Sequence, residues 1–110
     1  MLLAVRAQAE GRLEALERDF RSSVEAAAAA NADDEHDPEG ATLAFERQHV
    51  AALIEQARAQ VRDVTAALDR LSQGGYGQCV RCGEPIAPER MAARPTAALC
   101  IGCASRVGRA

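Results

Sequence analysis

Lysine and tryptophan are absent from this chain of 110 residues, and the aromatic residues stop at Phe20, Phe45 and Tyr76. With so few rings, an apolar fraction of 48% rests largely on alanine and leucine, and alanine buries little area per residue. A thick, rounded core is excluded, which leaves a slender seam, a module stapled by metal or disulfide, or both. Also missing is any run near the roughly eighteen apolar residues of a membrane span. The segment Met1-Leu2-Leu3-Ala4-Val5-Arg6 meets charge too soon to serve as a secretory signal. These absences predict a soluble, cytoplasmic protein without a membrane partner, and in that compartment cysteines serve metals more often than disulfides. The thirteen basic residues, all arginine, face sixteen acidic ones for a net charge of -3, without the basic excess of a nucleic-acid coat.

Proline is scarce up to residue 73, where Pro38 stands alone; beyond Gly74-Gly75, Pro85, Pro88 and Pro95 crowd together with all four cysteines. That shift divides the chain into 1–73 and 74–110. In the first part, alternating steps of four and three residues select Leu2, Arg6, Ala9, Leu13, Leu16, Phe20, Ser23, Ala27 and Ala30, with Arg6 and Ser23 as misfits and Val24 placed to cover for Ser23. The same stepping selects Leu43, Arg47, Val50, Ile54, Ala57, Val61, Val64, Leu68 and Leu71. Two such stripes predict two long helices, with Phe20 and Phe45 expected to reinforce the seam between them. The periodicity stops at an acidic turn, about 31–42, where Asp37-Pro38 reads as an N-cap followed by proline at the first helical position. A connection this short makes the helices an antiparallel hairpin, and Gly74, Gly75 and Gly77 end the second one.

Cys79-x-x-Cys82 is followed after seventeen residues by Cys100-x-x-Cys103. Two such pairs supply four thiolates for the closed tetrahedral site of a structural Zn²⁺. A redox dithiol, a disulfide pair and an iron–sulfur site use related spacings, but a redox motif belongs in a βαβ context and needs no second pair. Gly83 suits the tight turn after the second ligand, and Gly102 lies inside the second pair. Four protein ligands leave no open position, so one zinc ion is expected in a structural and not a catalytic role. From Gly74 onward five arginines face two glutamates, so the module is locally basic, and Arg81, Arg90 and Arg94 form a candidate contact surface. Asp34 with Asp37 lacks a nucleophile, an accompanying histidine or a pocket-forming segment, and no enzyme is predicted.

The run from Gly75-Tyr76-Gly77 through Cys79-Val80-Arg81-Cys82-Gly83, continued by Arg90-Met91-Ala92-Ala93-Arg94-Pro95 and Leu99-Cys100-Ile101-Gly102-Cys103, closely resembles the zinc finger of the DksA/TraR family. A coiled-coil hairpin before such a finger is similar to that family as well. The resemblance implies a mainly α protein: a long antiparallel hairpin, a small C4 zinc finger and a short C-terminal helix. It also implies a bacterial transcription regulator that binds RNA polymerase directly, without sequence-specific DNA binding. In the family the hairpin enters the polymerase secondary channel with its acidic tip, often together with the nucleotide ppGpp, which is a candidate co-effector here.

The family's tip pattern is Asp-x-x-Asp-x-Ala. Counting back from Cys79 without gaps places Glu39 and Ala41 on its second Asp and its Ala, and His36 on its first Asp, with Asp37 one residue away. The tip residues are therefore Asp34, Asp37, Glu39 and Ala41, in a stretch from Asp33 to Glu46 that holds six carboxylates and no basic residue. A monomer is expected. The alternative reading is a small nucleic-acid-binding or adaptor module that uses the basic finger.

Overall fold

The computed structural model describes residues 1–30 and 38–107, with the side chains of these save 27, 29, 30 and 38–41. Helix α1 spans Leu2–Ala30 and α2 spans Pro38–Ser72, followed by the short helices α3, Pro88–Ala93, and α4, Ile101–Val107. At about 1.5 Å per residue the long helices measure roughly 43 and 52 Å. Both are rich in alanine, leucine, arginine and glutamate, whose side chains lose little freedom in a helix. Pro38 opens α2, where its missing N–H costs nothing; Asp37, the expected cap, lies outside the described residues.

The chain forms two compact units, Ala7–Gln60 and Met1–Arg6 with Val61–Ala110. In the first, Ala9, Ile54 and Ala57 are buried. Leu13, Leu16, Phe20 and Ser23 from α1, and Arg47 and Val50 from α2, are half-buried along the same stripe. Phe20 shares the walls of a recess with Ala51 and Ile54. In the other unit Leu2 packs with Val64 and Ala67, flanked by Val5, Leu68 and Tyr76. Leu2 of α1 meets Val64 and Ala67 of α2, whereas Phe20, further along α1, lies beside Ala51 and Ile54, earlier on α2, so the helices are antiparallel.

The seam expectations are corrected at four positions: Leu43 and Leu71, both on the predicted stripe, are 37% and 52% exposed, and Phe45 and Val24 depart as well. Phe45 is 77% exposed. It stands two positions after Leu43 and two before Arg47, and at about 100° per residue that sets it roughly opposite the line these residues define. Val24, expected to stand in for Ser23, is 39% exposed, while Ser23 keeps the half-buried place that the stepping gives it.

The end of α2 is built by glycine. Gly74 adopts φ +83°, its N–H bonds the carbonyl of Leu71 at 3.3 Å, and the N–H of Gly75 bonds that of Arg70 at 2.8 Å. This pair of crossed bonds is the Schellman termination, which satisfies carbonyls that the last turn leaves without intrahelical partners.

Candidate metal centre

The first cysteine pair sits on a turn whose arms are joined by an isolated antiparallel bridge between Gln78 and Pro85. Ile86 N–H donates to Gly77 O at 2.8 Å and Cys79 N–H to Glu84 O at 2.8 Å, which pins the arms on both sides of the bridge. Gly83 makes the reversal possible at φ +79°, a backbone region that a side chain would strain, and its N–H donates to Cys79 O at 2.9 Å. The second pair lies at the start of α4, so that helical spacing brings Cys100 and Cys103 to one side. The two halves are tied by Val80 N–H to Ala98 O at 2.9 Å and by Arg90 Nε to Leu99 O at 2.9 Å. Cys79, Ile86 and Cys103 form the buried cluster beneath, flanked by Met91, Leu99 and Cys100. With so little apolar material a metal must supply the remaining cohesion.

The four Sγ atoms lie within 4.8 Å of one another. A tetrahedron with Zn–S bonds of about 2.3 Å has edges of about 3.8 Å, and Cys82 Sγ and Cys100 Sγ are 3.8 Å apart. That distance is far beyond the roughly 2.05 Å of a disulfide, and all four cysteines are free thiols. Cys103 N–H points at Cys100 Sγ from 3.5 Å, a backbone donor suited to thiolate charge. Cys79 and Cys103 are buried, Cys100 is half-buried and Cys82 is exposed. The donor set therefore fits one structural Zn²⁺.

Crowding separates the thiols electrostatically. Backbone hydrogen bonds at Cys100 and Cys82 draw Cys79 down to about 6. The Cys100 thiol, reinforced by burial, pushes Cys103 up to about 12. At Cys82 the backbone hydrogen bond at Glu84 lowers the pKa, but the Cys79 thiol, burial and the Cys100 thiol together outweigh it, and the net shift is upward. A divalent cation among them replaces the protons that this crowding retains.

Three contacts with no signal in the cysteine spacing brace the module. Tyr76 packs on the Leu2–Val64–Ala67 cluster and donates its hydroxyl to Pro95 O at 2.9 Å. Arg70 of α2 reaches Thr96 O at 3.4 Å, and Arg90 holds Leu99 O as above. Tyr76 and Arg90 are traced in the sequence only by the Tyr-Gly and Arg-x-x-Ala-x-Pro stretches, and Arg70 lies in neither.

Arg81 and Arg94 are exposed, whereas Arg90 is half-buried with its Nε engaged. Of the acidic turn, Asp34 and Asp37 lie outside the described residues. Glu39 and Ala41 have backbone places in the first turns of α2, and their side chains lie outside what is described.

Four convergent thiols on one turn and one helix start, braced by Arg70 and by Tyr76 packed on Leu2, Val64 and Ala67, define a C4 zinc-finger protein with two long antiparallel helices. Residues 74–107 match the prokaryotic dksA/traR C4-type zinc finger. The chain is similar to transcription factor DksA2 from Pseudomonas aeruginosa, with 30% identity and a TM-score of 0.77 over 98% of this chain and 78% of that one. It therefore belongs to the DksA/TraR family. Among curated proteins it is 44% identical over 46 residues to the RNA polymerase-binding transcription factor DksA of Haemophilus influenzae, covering 42% of this chain and 32% of the relative. It is 41% identical over 51 residues to an uncharacterized protein of Aquifex aeolicus, covering 46% and 35%. The matched segments thus span about a third of each curated relative's length.

Proposed function

We propose that this protein is a bacterial transcription regulator that binds RNA polymerase directly and presents the acidic turn between α1 and α2 to the secondary channel, modulating initiation. The observation that carries the reading is the joint presence of the C4 finger and the two long helices in the DksA2-like arrangement, which covers 98% of the chain. The zinc-bound module, 74–110, serves as a rigid platform and the hairpin, 1–73, as the part that probes. Asp34, Asp37, Glu39 and Ala41 form its working end, in a stretch with six carboxylates and no basic residue. Carboxylates so concentrated act on basic loops or on a Mg²⁺ ion in the partner. No candidate membrane span occurs among the described residues, and the family is one of transcription factors, not a known enzyme class. The protein acts as a monomer in the cytoplasm, with ppGpp as a candidate co-effector.

The test is retention by purified bacterial RNA polymerase in competition with another secondary-channel factor, followed by transcription in vitro with and without ppGpp. Binding at micromolar protein that the competitor displaces is expected; no binding overturns the reading. Charge reversal at Asp37 and Glu39 is expected to reduce the transcriptional effect more than the binding. The second reading, a nucleic-acid contact through the finger, draws on the exposure of Arg81 and Arg94. It requires DNA affinity that falls steeply with salt and disappears when both are replaced.

A further inference from the structure

Among the described residues, the outer face of α2 between Phe45 and Asp63 is small or polar except at Phe45 itself. Seven, eleven and eighteen residues beyond Phe45 the same face carries Ala52, Gln56 and Asp63, all exposed. Phe45, one of only three aromatic residues in the chain, is 77% exposed there. Its ring, with Glu46, His49 and Val50, walls an open recess of about 500 Å³. Val50 turns toward the seam and is half-buried, so the recess runs from the outer ring to the flank of the helix pair. Glu39 stands six residues earlier on α2, about 9 Å along the axis. From Asp33 to His49 the sequence carries six carboxylates against one arginine, Arg47, so the stretch that leads into and through the first turns of α2 is acidic in net charge.

We propose that Phe45 is an anchor for a protein partner whose surface offers an apolar pocket ringed by basic side chains. The ring fills the pocket, Val50 and the aliphatic part of Glu46 extend the apolar contact, and the carboxylates meet the basic rim. Aromatic side chains surrounded by polar residues are the usual carriers of binding energy at protein interfaces. Charge complementarity selects the partner: an acidic or nucleic-acid surface is repelled by this end of the helix, and a neutral one leaves its carboxylates without counterparts. The inference rests on the reading that the hairpin engages RNA polymerase, and it adds an affinity determinant on α2 to the acidic turn.

The experiment measures polymerase affinity for the full zinc-loaded chain and for the variants Phe45→Ala, Phe45→Leu and Glu46→Gln. Tenfold or greater weakening is expected for Phe45→Ala, with substantial recovery in Phe45→Leu. Glu46→Gln is expected to weaken binding severalfold and to flatten its salt dependence. Thermal melting should be unchanged in all three, because the side chains are exposed. A wild-type chain that binds while Phe45→Ala binds equally well overturns the anchor and leaves the polymerase reading standing. Unchanged affinity and salt dependence in Glu46→Gln overturn the basic rim. A wild-type chain that does not bind removes both readings together.

Discussion

Gly11 and Gly74 lack the same side chain with opposite consequences. Gly11 sits within α1, where an added Cβ meets nothing within 4 Å, so Gly11→Ala should raise stability by about 0.8 kcal/mol in denaturant melts. Gly74 holds φ +83°, and the same substitution there should lower stability by about 1 kcal/mol, because an L-residue pays a steric penalty in that region. Tyr76→Phe keeps the packed ring but removes the donor to Pro95 O, and should cost about 1 kcal/mol in the same measurement. The thiols give a further outcome. At pH 7.5, Cys79, drawn down to about 6, has already lost its proton, whereas Cys103, pushed up to about 12, still holds one. Zinc binding must displace that second proton, so affinity rises as pH rises through neutrality. Calorimetry in buffers of different ionisation enthalpy should show protons released, but fewer than four per zinc.

At the scale of elements, the two long helices are held by a thin line of contacts. Ile54 is 7% exposed and shares a recess with Phe20, so Ile54→Ala should cost about 2–3 kcal/mol, while Phe45→Ala should leave stability unchanged. This line was legible in the sequence because leucine and valine at alternating steps of four and three leave few other registers: Leu2, Ala9, Ile54, Ala57 and Val64 all fall on it and are buried. Ala67 is buried beside Leu2 and Val64 yet lies off the stripe, since a methyl group carries almost no periodic signal. Phe45 shows the reverse failure: a large apolar residue invites burial even where its position in the register places it outside. In the finger, the ligands and Gly83 follow from spacing. The bonds from Tyr76, Arg70 and Arg90 to carbonyls at residues 95, 96 and 99 join segments that no local pattern connects. Removal of zinc by a chelator should abolish slow amide exchange at Cys79 and Val80, whose N–H groups cross the module; protection that survives without metal would refute the structural role.

For the molecule as a whole, the zinc-binding unit is assembled from residues 1–6 and 61 onward. Leu2 is 6% exposed there, against Val64 and Ala67. Deleting residues 1–6 should therefore lower the thermal stability of a module whose cysteines it leaves untouched, with fully loaded zinc as the control. The arrangement also sets an order of events during synthesis. Leu2 emerges from the ribosome early, but Val64, Ala67 and Tyr76 follow only after the whole span of Ala7–Gln60 has been made. A contact of such long sequence separation closes late, so the nascent chain carries Leu2 without its partners until translation has passed the second helix.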